Sequence, residues 1–555
     1  MIGVFCKPEE IPVAKEFFQL FKTPWELYVA NRKYAAVVDT TGEAPASAAA
    51  NLHVIYSSRQ VAGETFGTGS HAQMPAVCEW DGTEFPIYHD ALVFKNAEHP
   101  LVTVRGGRGS AVWSSADRGP KVVRVGYDIF QEVAFLLSEG QPEAYAHIPT
   151  LEIHIALLRQ CLWDSGTPFV EIPPVPAGYK FAACLTHDVD FVGIRLHKGD
   201  HTMWGFLYRA LVGSLVGAVR GRVPWSRVVR NWKAALSLPL VHLGIARDFW
   251  LEFDRYREIE RGLGSTFYFI PYRGQSGRTR TGCAPDHRAA PYDVGDLKNE
   301  LTELASGGCE VGLHGIDAWH DAQSAATEAR RIEEVSGLPV TGVRMHWLYF
   351  DQDSPEALGN ARLCYDSTFG YNGAVGFRAG TSQVFSLRQA AALLELPLIL
   401  QDTALFYPDR MDLSEAQAGR ACDAILEQLG RHGGALTVNW HTRSLSPERL
   451  WGDFYQRLVD EMKSRGAFFS TARQCVAWFE RRRSLHLENV EFTDDGVSLR
   501  VTCANNIPHP GYVIRVYHPQ RCSQPATSPK PLDMEWGGEE HVTVGMGSAV
   551  SMRTS

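Results

Sequence analysis

The chain has 555 residues, 45% of them hydrophobic and 21% charged, with 54 basic and 63 acidic side chains and a net charge of −9. That length and balance exclude a largely disordered or collagen-like chain, and at roughly 150 residues per domain they predict three or four domains with cores of their own. The negative balance gives no global pull toward nucleic acid, and none is expected as a partner.

The N-terminus, MIGVFCKPEEIPVAKEFF, lacks a basic stretch followed by an apolar one, and no run of 18 or more apolar residues occurs. The expectation is a cytoplasmic chain without a spanning helix. Eleven scattered cysteines with no CxxC predict reduced thiols. Residues 1–175 predict an N-terminal α/β accessory domain. LHVIYSS (52–58) and FPIYHDALVF (85–94) have the β-branched and aromatic content of strands, and DIFQEVAFLLSEG (128–140) is a helix that stops at Gly140. This region holds no catalytic motif and points to recognition or packing. EIPPVPAGYKF (171–181) is Pro-rich and predicts a linker.

From 176 to 483, strands alternate with helices. FAACLTHDVDF (181–191), STFYFIP (265–271), CEVGLHG (309–315), PVTGVRMHW (339–347), LLELPLIL (393–400) and ALTVNWH (435–441) are strands. DVGDLKNELTELASG (293–307) and DFYQRLVDEMKSRG (453–466) are helices. The alternation predicts a parallel α/β sheet or barrel. Between Asp200 and Asp248 there is no Asp or Glu. Arg209, Arg220, Arg222, Arg227, Arg230, Lys233 and Arg247 share that stretch with MWGFLYRALVGSLVGAV (203–219), Trp225 and Trp232. Two readings stand. One is an interfacial helix that holds 203–233 on an anionic membrane at its inner face, which would suit a lipid-linked sugar. The other is a helical insertion with a solvated basic face. Beyond Ser484, LHLENVEFTDDGVSLRVTCAN alternates with period two around a DDG turn. It predicts a small antiparallel β domain over 484–555, with a loose tail from about 520.

An α/β fold gathers its site at the carboxyl ends of its strands. Those ends carry Asp188 and Asp190; His314, Trp319 and His320; Arg344 and His346; Asp402; and His441 and Arg443. A lone DxD serves equally as a turn or a helix cap, and a lone His as a structural hydrogen-bonder. Five apolar strands that all end in Asp, His or Arg are not explained by packing alone. Carboxylate and imidazole are the usual ligands of a catalytic Zn²⁺ with an open position.

The order of these motifs resembles that of the polysaccharide deacetylases of the NodB-homology type, carbohydrate esterase family four. LTHDVD (185–190) stands for the family's T-F-D-D, GLHGIDAWHD (312–321) for its H-x-x-x-H, GVRMHW (342–347) for its arginine-led motif and LTVNWH (436–441) for its Leu-x-His. STFYFIP resembles its second strand. YDSTFGYNGAVGFRAGT (365–381) and ELPLILQD (395–402) resemble a DVD-motif branch associated with surface-polysaccharide loci. The resemblance covers 176–483. It implies a distorted (β/α) barrel between the N-terminal α/β domain and the small C-terminal β domain. It further implies a metal-dependent hydrolase that removes an N-acetyl or similar N-acyl group from a carbohydrate or glycan intermediate of polysaccharide biosynthesis. The metal would be Zn²⁺, with Co²⁺, Ni²⁺ or Mn²⁺ as alternatives.

By the same resemblance Asp188 is the general base, and Asp190, displaced one place by Val189, binds the metal. His314 is the first histidine ligand, Arg344 orients the base, His441 is the general acid and Asp402 sets its tautomer. The second histidine is expected at position 318, which is Ala318. His320 supplies the missing ligand from two residues later, or His346 reaches in from the next strand. His346, Trp319 and Arg378 are assigned to the substrate, with Trp319 either stacking on a sugar or packing in the barrel, and Arg378 either holding an anionic group or pairing with Asp366. Ala318 keeps two other readings open: a catalytically inactive carbohydrate-binding module, or a membrane-peripheral assembly protein.

Overall fold

Phe181–Val189 is buried at all nine of its residues. A parallel strand covered on both faces reads as a continuous apolar run rather than an alternation, as FAACL does here. This strand is central to a ten-stranded sheet. The computed structural model describes residues 1–43, 50–61, 70–95, 99–106, 109–115, 121–221, 224–386, 393–449, 451–493, 496–503, 510–519 and 531–545. Across the sheet the strands run Phe385–Ser386, Leu394–Glu395, Tyr365–Asp366, Gly342–Met345, Glu310–Gly315, Ser265–Phe269, Phe181–Val189, Ala435–Asn439 and Leu400–Gln401. Ala467–Phe469 joins the first half of Phe181–Val189. Every pairing is parallel except that of Phe385–Ser386 at one edge. The carboxyl ends therefore lie along one rim.

The sheet is a curled half-barrel, and among the described residues its edges do not pair with each other. The distorted barrel expected here thus takes the form of a curled half-barrel, and the single strand expected over 393–400 is corrected. That segment forms two short strands, Leu394–Glu395 and Leu400–Gln401, which lie near opposite edges. Pro397 between them has no N–H for a ladder. Leu396 N–H instead donates to Asp366 O, and Ile399 N–H to Thr437 O, so the intervening residues span the open side.

Residues 2–125 build a nine-stranded mixed sheet. Helix Ile129–Ser138 follows, started by the Asp128 carboxylate, which accepts from Phe130 N–H and Gln131 N–H. This region is joined to the second sheet by buried polar contacts: Gln141 Nε2 donates to Phe377 O, and Thr381 Oγ1 and Gln383 Nε2 donate to the Glu152 carboxylate.

The Pro-rich stretch is not an exposed spacer. Phe169–Glu171 is a strand paired with Tyr512–Tyr517, and Ile172 is buried, its carbonyl accepting from Arg482. Tyr512–Tyr517 pairs in turn with Leu532–Trp536. A second sheet contains His486–Thr493, Gly496–Thr502 and His541–Gly545. The tail expected to be loose from about 520 thus contains two strands. The predicted turn residues Asp494 and Asp495, Cys522, and residues 520–530 and 546–555 lie outside the described residues.

The acid-free segment is a helical hairpin. A helical run from His201 to Val219 packs through Phe206 and Ala210 against Ala234, Leu238 and Val241 of helix Trp225–His242. Its base is held by the Asp248 carboxylate, which accepts from Ile194, Arg195 and Trp250 N–H. Gly193, at φ +83°, sits so close that a Cβ there would meet Asp248 Oδ2 at 2.6 Å. Arg222 lies outside the described residues.

Candidate metal and active site

Three side chains from three strand ends converge. Asp190 Oδ1 lies 3.1 Å from His314 Nε2 and 3.3 Å from His346 Nδ1, and the two imidazole nitrogens are 3.0 Å apart. The far nitrogen of each ring faces a backbone carbonyl. His314 Nδ1 is 2.8 Å from Arg344 O, and His346 Nε2 is 3.1 Å from Arg288 O. A carbonyl only accepts, so each far nitrogen carries the proton and donates it. The near nitrogens then present lone pairs to one point beside a carboxylate. Lone pairs at that distance repel unless a cation lies between them. Asp190 Oδ1 is also buried without a hydrogen-bond partner among the described residues.

The donor set fits a divalent metal. One carboxylate and two imidazoles leave open positions, and bonds of about 2.0–2.2 Å place neighbouring ligand atoms about 3 Å or a little more apart. The carbonyls behind the histidines fix tautomer and ring orientation, as partners of metal ligands usually do. Burial, against the pull of Asp190, keeps His346 below the ordinary imidazole value and so neutral.

Asp188 lies beside this group, its Oδ2 4.0 Å from His314 Nε2. Arg344 Nη1 donates to its Oδ1 at 3.0 Å, and Asn439 Nδ2 to its Oδ2 at 2.7 Å. Arg344 is anchored in turn, donating to Thr186 Oγ1 and to Ser367 O and Oγ. His441 stands on the other side, its Nε2 3.6 Å from Asp190 Oδ2. Its Nδ1–H donates to Asp402 Oδ1 at 2.6 Å, and its backbone N–H to Asp402 Oδ2 at 2.8 Å. Asp402 begins helix Asp402–Phe406, and its Oδ1 also accepts from Thr403 N–H. Burial works against charge on His441, but the Asp402, Asp190 and Asp188 carboxylates prevail and push it up to about 10.

Asp188, Asp190, His314, His346 and His441 line a pocket of about 150 Å³, with Arg344 and Asp402 directly behind them. A closed cavity of that size holds a benzene-sized molecule, so there is room for an acyl group and part of a sugar.

Three expected residues are elsewhere. His320 is exposed and faces Asp321 at 3.4 Å, because the chain turns away after Asp317. His346 lies against Asp190 and His314 instead, brought beside His314 by the parallel register that sets His314 opposite Arg344. Trp319 is buried in packing against Tyr349 and does not line the pocket. Arg378 neither reaches the pocket nor pairs with Asp366. It donates to Gly370 O and stacks 4.3 Å over Phe369, next to the N-terminal region at Gly140.

Sequence reasoning passed over Asn439, Arg288, Arg410 and Arg449. Asn439 had a signal, as a polar residue inside the apolar strand ALTVN. Arg410 and Arg449 sit in loops without a motif. Trp347, at φ +61°, and Leu348, at φ +54°, are consecutive left-handed residues in the pocket wall, where strained backbone tends to collect.

No family model and no curated protein sequence matches the chain. Among solved structures it is similar to two proteins assigned as polysaccharide deacetylases. The one from Mycobacterium smegmatis is 17% identical, covers 56% of this chain and 95% of its own, and has a TM-score of 0.32. The one from Pseudomonas aeruginosa PAO1 is 11% identical, with coverage of 55% and 93% and a TM-score of 0.34. It is also similar to the PuuE allantoinase at 12% identity, with coverage of 55% and 92% and a TM-score of 0.34.

Proposed function

We propose that this protein is a divalent-metal-dependent hydrolase that removes an N-acyl group, acetyl in the first instance, from a carbohydrate. The observation that carries the reading is the pair of histidine lone pairs converging on Asp190, with a held carboxylate on one side and a held imidazole on the other. Asp190, His314 and His346 would hold the metal. When bound, a divalent cation polarises an acyl carbonyl and makes water acidic enough to attack at neutral pH. Asp188 takes the proton from the attacking water, with Arg344 and Asn439 fixing its oxygens. An amine is a poor leaving group, so the departing nitrogen needs a proton as the C–N bond breaks. His441 donates it from Nε2, with Asp402 holding the other ring nitrogen protonated. Proton transfers of this kind each contribute about 10²- to 10⁴-fold.

Elemental analysis of the purified protein tests the metal site. Wild type is expected to hold about one divalent ion per chain. Asp190→Ala and His346→Ala are expected to lose it, and His320→Ala to keep it. A folded wild type that stays empty after incubation with Zn²⁺, Co²⁺ and Mn²⁺ would overturn the hydrolase and favour the carbohydrate-binding module.

A further inference from the structure

Part of the pocket lining is basic. Arg410, Arg443 and Arg449 face it together with Tyr407. Arg443 Nε donates to Glu448 Oε1 at 3.0 Å, and its guanidinium lies 3.8 Å over Trp250. Its Nη2, however, is buried with no hydrogen-bond partner among the described residues, in a side chain that lines the pocket. Arg449 donates to the Tyr407 hydroxyl, and Arg410 to Thr403 Oγ1 at 2.7 Å. Arg443 and Arg449 thus share the Glu448 carboxylate, and Arg410 and Arg449 otherwise meet two neutral hydroxyls. Burial, then the neighbouring charge of Arg449, pushes Arg443 down to about 10 even with Glu448 pulling the other way. Of the carboxylates nearest this group, Asp188 pairs with Arg344 and Asp402 with His441, while Asp402 also attracts Arg449 from farther off.

We propose that Arg410, Arg443 and Arg449 form a subsite for a phosphoryl group carried by the carbohydrate. The surplus of about two positive charges matches a phosphate dianion better than a single carboxylate, and the forked donors of arginine suit phosphate oxygens. This deepens the hydrolase reading by naming its substrate as a phosphorylated or diphosphate-linked sugar, but the subsite can be tested without turnover. The probe is inorganic phosphate, titrated calorimetrically into the full chain. Arg410→Gln/Arg449→Gln is expected to weaken binding about tenfold or more, Arg449→Lys less, and Asp190→Ala little, with glucuronate binding wild type more weakly than phosphate. Equal phosphate affinity in wild type and the double variant would overturn the subsite. So would loss of binding in Asp190→Ala alone, which would put the phosphate on the metal, or glucuronate binding as tightly as phosphate.

The helical hairpin carries a surface of another kind. Most of the exposed large hydrophobic side chains among the described residues lie between Trp204 and Ile245. Trp204 is 61% exposed, Trp225 60%, Leu236 79% and Leu243 71%. The run His201–Val219 is long and apolar enough to cross a membrane by composition, yet only 22% of it is buried. Its partner helix carries Arg227, Arg230 and Lys233 and packs along it, which suits a pair lying on a surface better than a span. We infer that this face docks on an anionic lipid bilayer. Exposed Trp and Leu supply the apolar side, and Arg220, Arg230 and Lys233, in a stretch without a single acidic residue from 201 to 247, supply the charge.

Flotation with phosphatidylcholine vesicles, with and without phosphatidylserine, tests the surface. Wild type is expected to float with the anionic vesicles and less with the neutral ones. Leu236→Asp/Leu243→Asp changes only exposed positions and is expected to remain at the bottom, with an unchanged circular dichroism spectrum. Wild type that stays at the bottom in both mixtures, or a double variant that floats equally, would overturn the lipid surface. A lipid-free wild-type dimer that the double variant converts to monomer would overturn it in favour of a second copy of the chain.

Discussion

Asp188→Asn is expected to lower kcat by about 10²- to 10⁴-fold while metal content stays near the wild-type level. The carboxylate sits 4.0 Å from His314 Nε2 but outside the close triad of Asp190, His314 and His346. Its oxygens accept from Arg344 and Asn439, so it is held in position beside the proposed metal site without being among the three converging side chains. Asparagine keeps the shape and removes the basicity. It also turns one donor toward another, which costs about 1–3 kcal/mol of stability, small enough to leave a chain of this size folded. Steady-state turnover of an N-acetylated amino-sugar phosphate, with metal measured on the same samples, separates the roles. Turnover within a few-fold of wild type would remove Asp188 as the base. Low turnover with lost metal would make it a ligand instead.

Asp402→Asn is expected to change the pH profile as well as the rate. With Asp402 present, His441 is pushed up to about 10 and stays protonated across neutral pH, as a general acid must. Without that carboxylate, burial acts with less opposition and the imidazole falls toward or below its ordinary value of about 6.5. The alkaline limb of kcat should move down by several pH values, and turnover at pH 8 should drop by about 10²-fold or more. The amide can also offer its N–H to Nδ1 and so reverse the tautomer. An unchanged alkaline limb would separate His441 from the leaving-group proton. Stability follows the same pair. A histidine raised in the folded state contributes fully below its unfolded value near 6.5, and that contribution is lost as pH rises through about 10. The wild-type melting temperature should therefore fall from pH 7 to pH 10 by more than that of Asp402→Asn.

What the sequence by itself determined was the row of strand ends. Parallel strands buried on both faces must be written as apolar runs, so Asp188, Asp190, His314, Arg344 and His441 stand out where those runs stop. The parallel order then places them on one rim, whatever the details of closure. The sequence could not choose between His320 and His346, because both lie within reach along the chain. Their placement is tertiary: His314 and Arg344 are register partners on adjacent strands, which puts the residue after Met345 beside His314, whereas the turn after Asp317 sends His320 to solvent. The same limit applies to Arg410 and Arg449. They come from separate loops, and only the folding of those loops around Tyr407 gives them a common pocket. It applies also to Phe169–Glu171, whose partner strand lies more than 300 residues later. Periodicity records which faces of a segment are buried, because burial is paid residue by residue along the chain. Which segment covers which face depends on contacts between distant residues, and those exist only once the chain is packed.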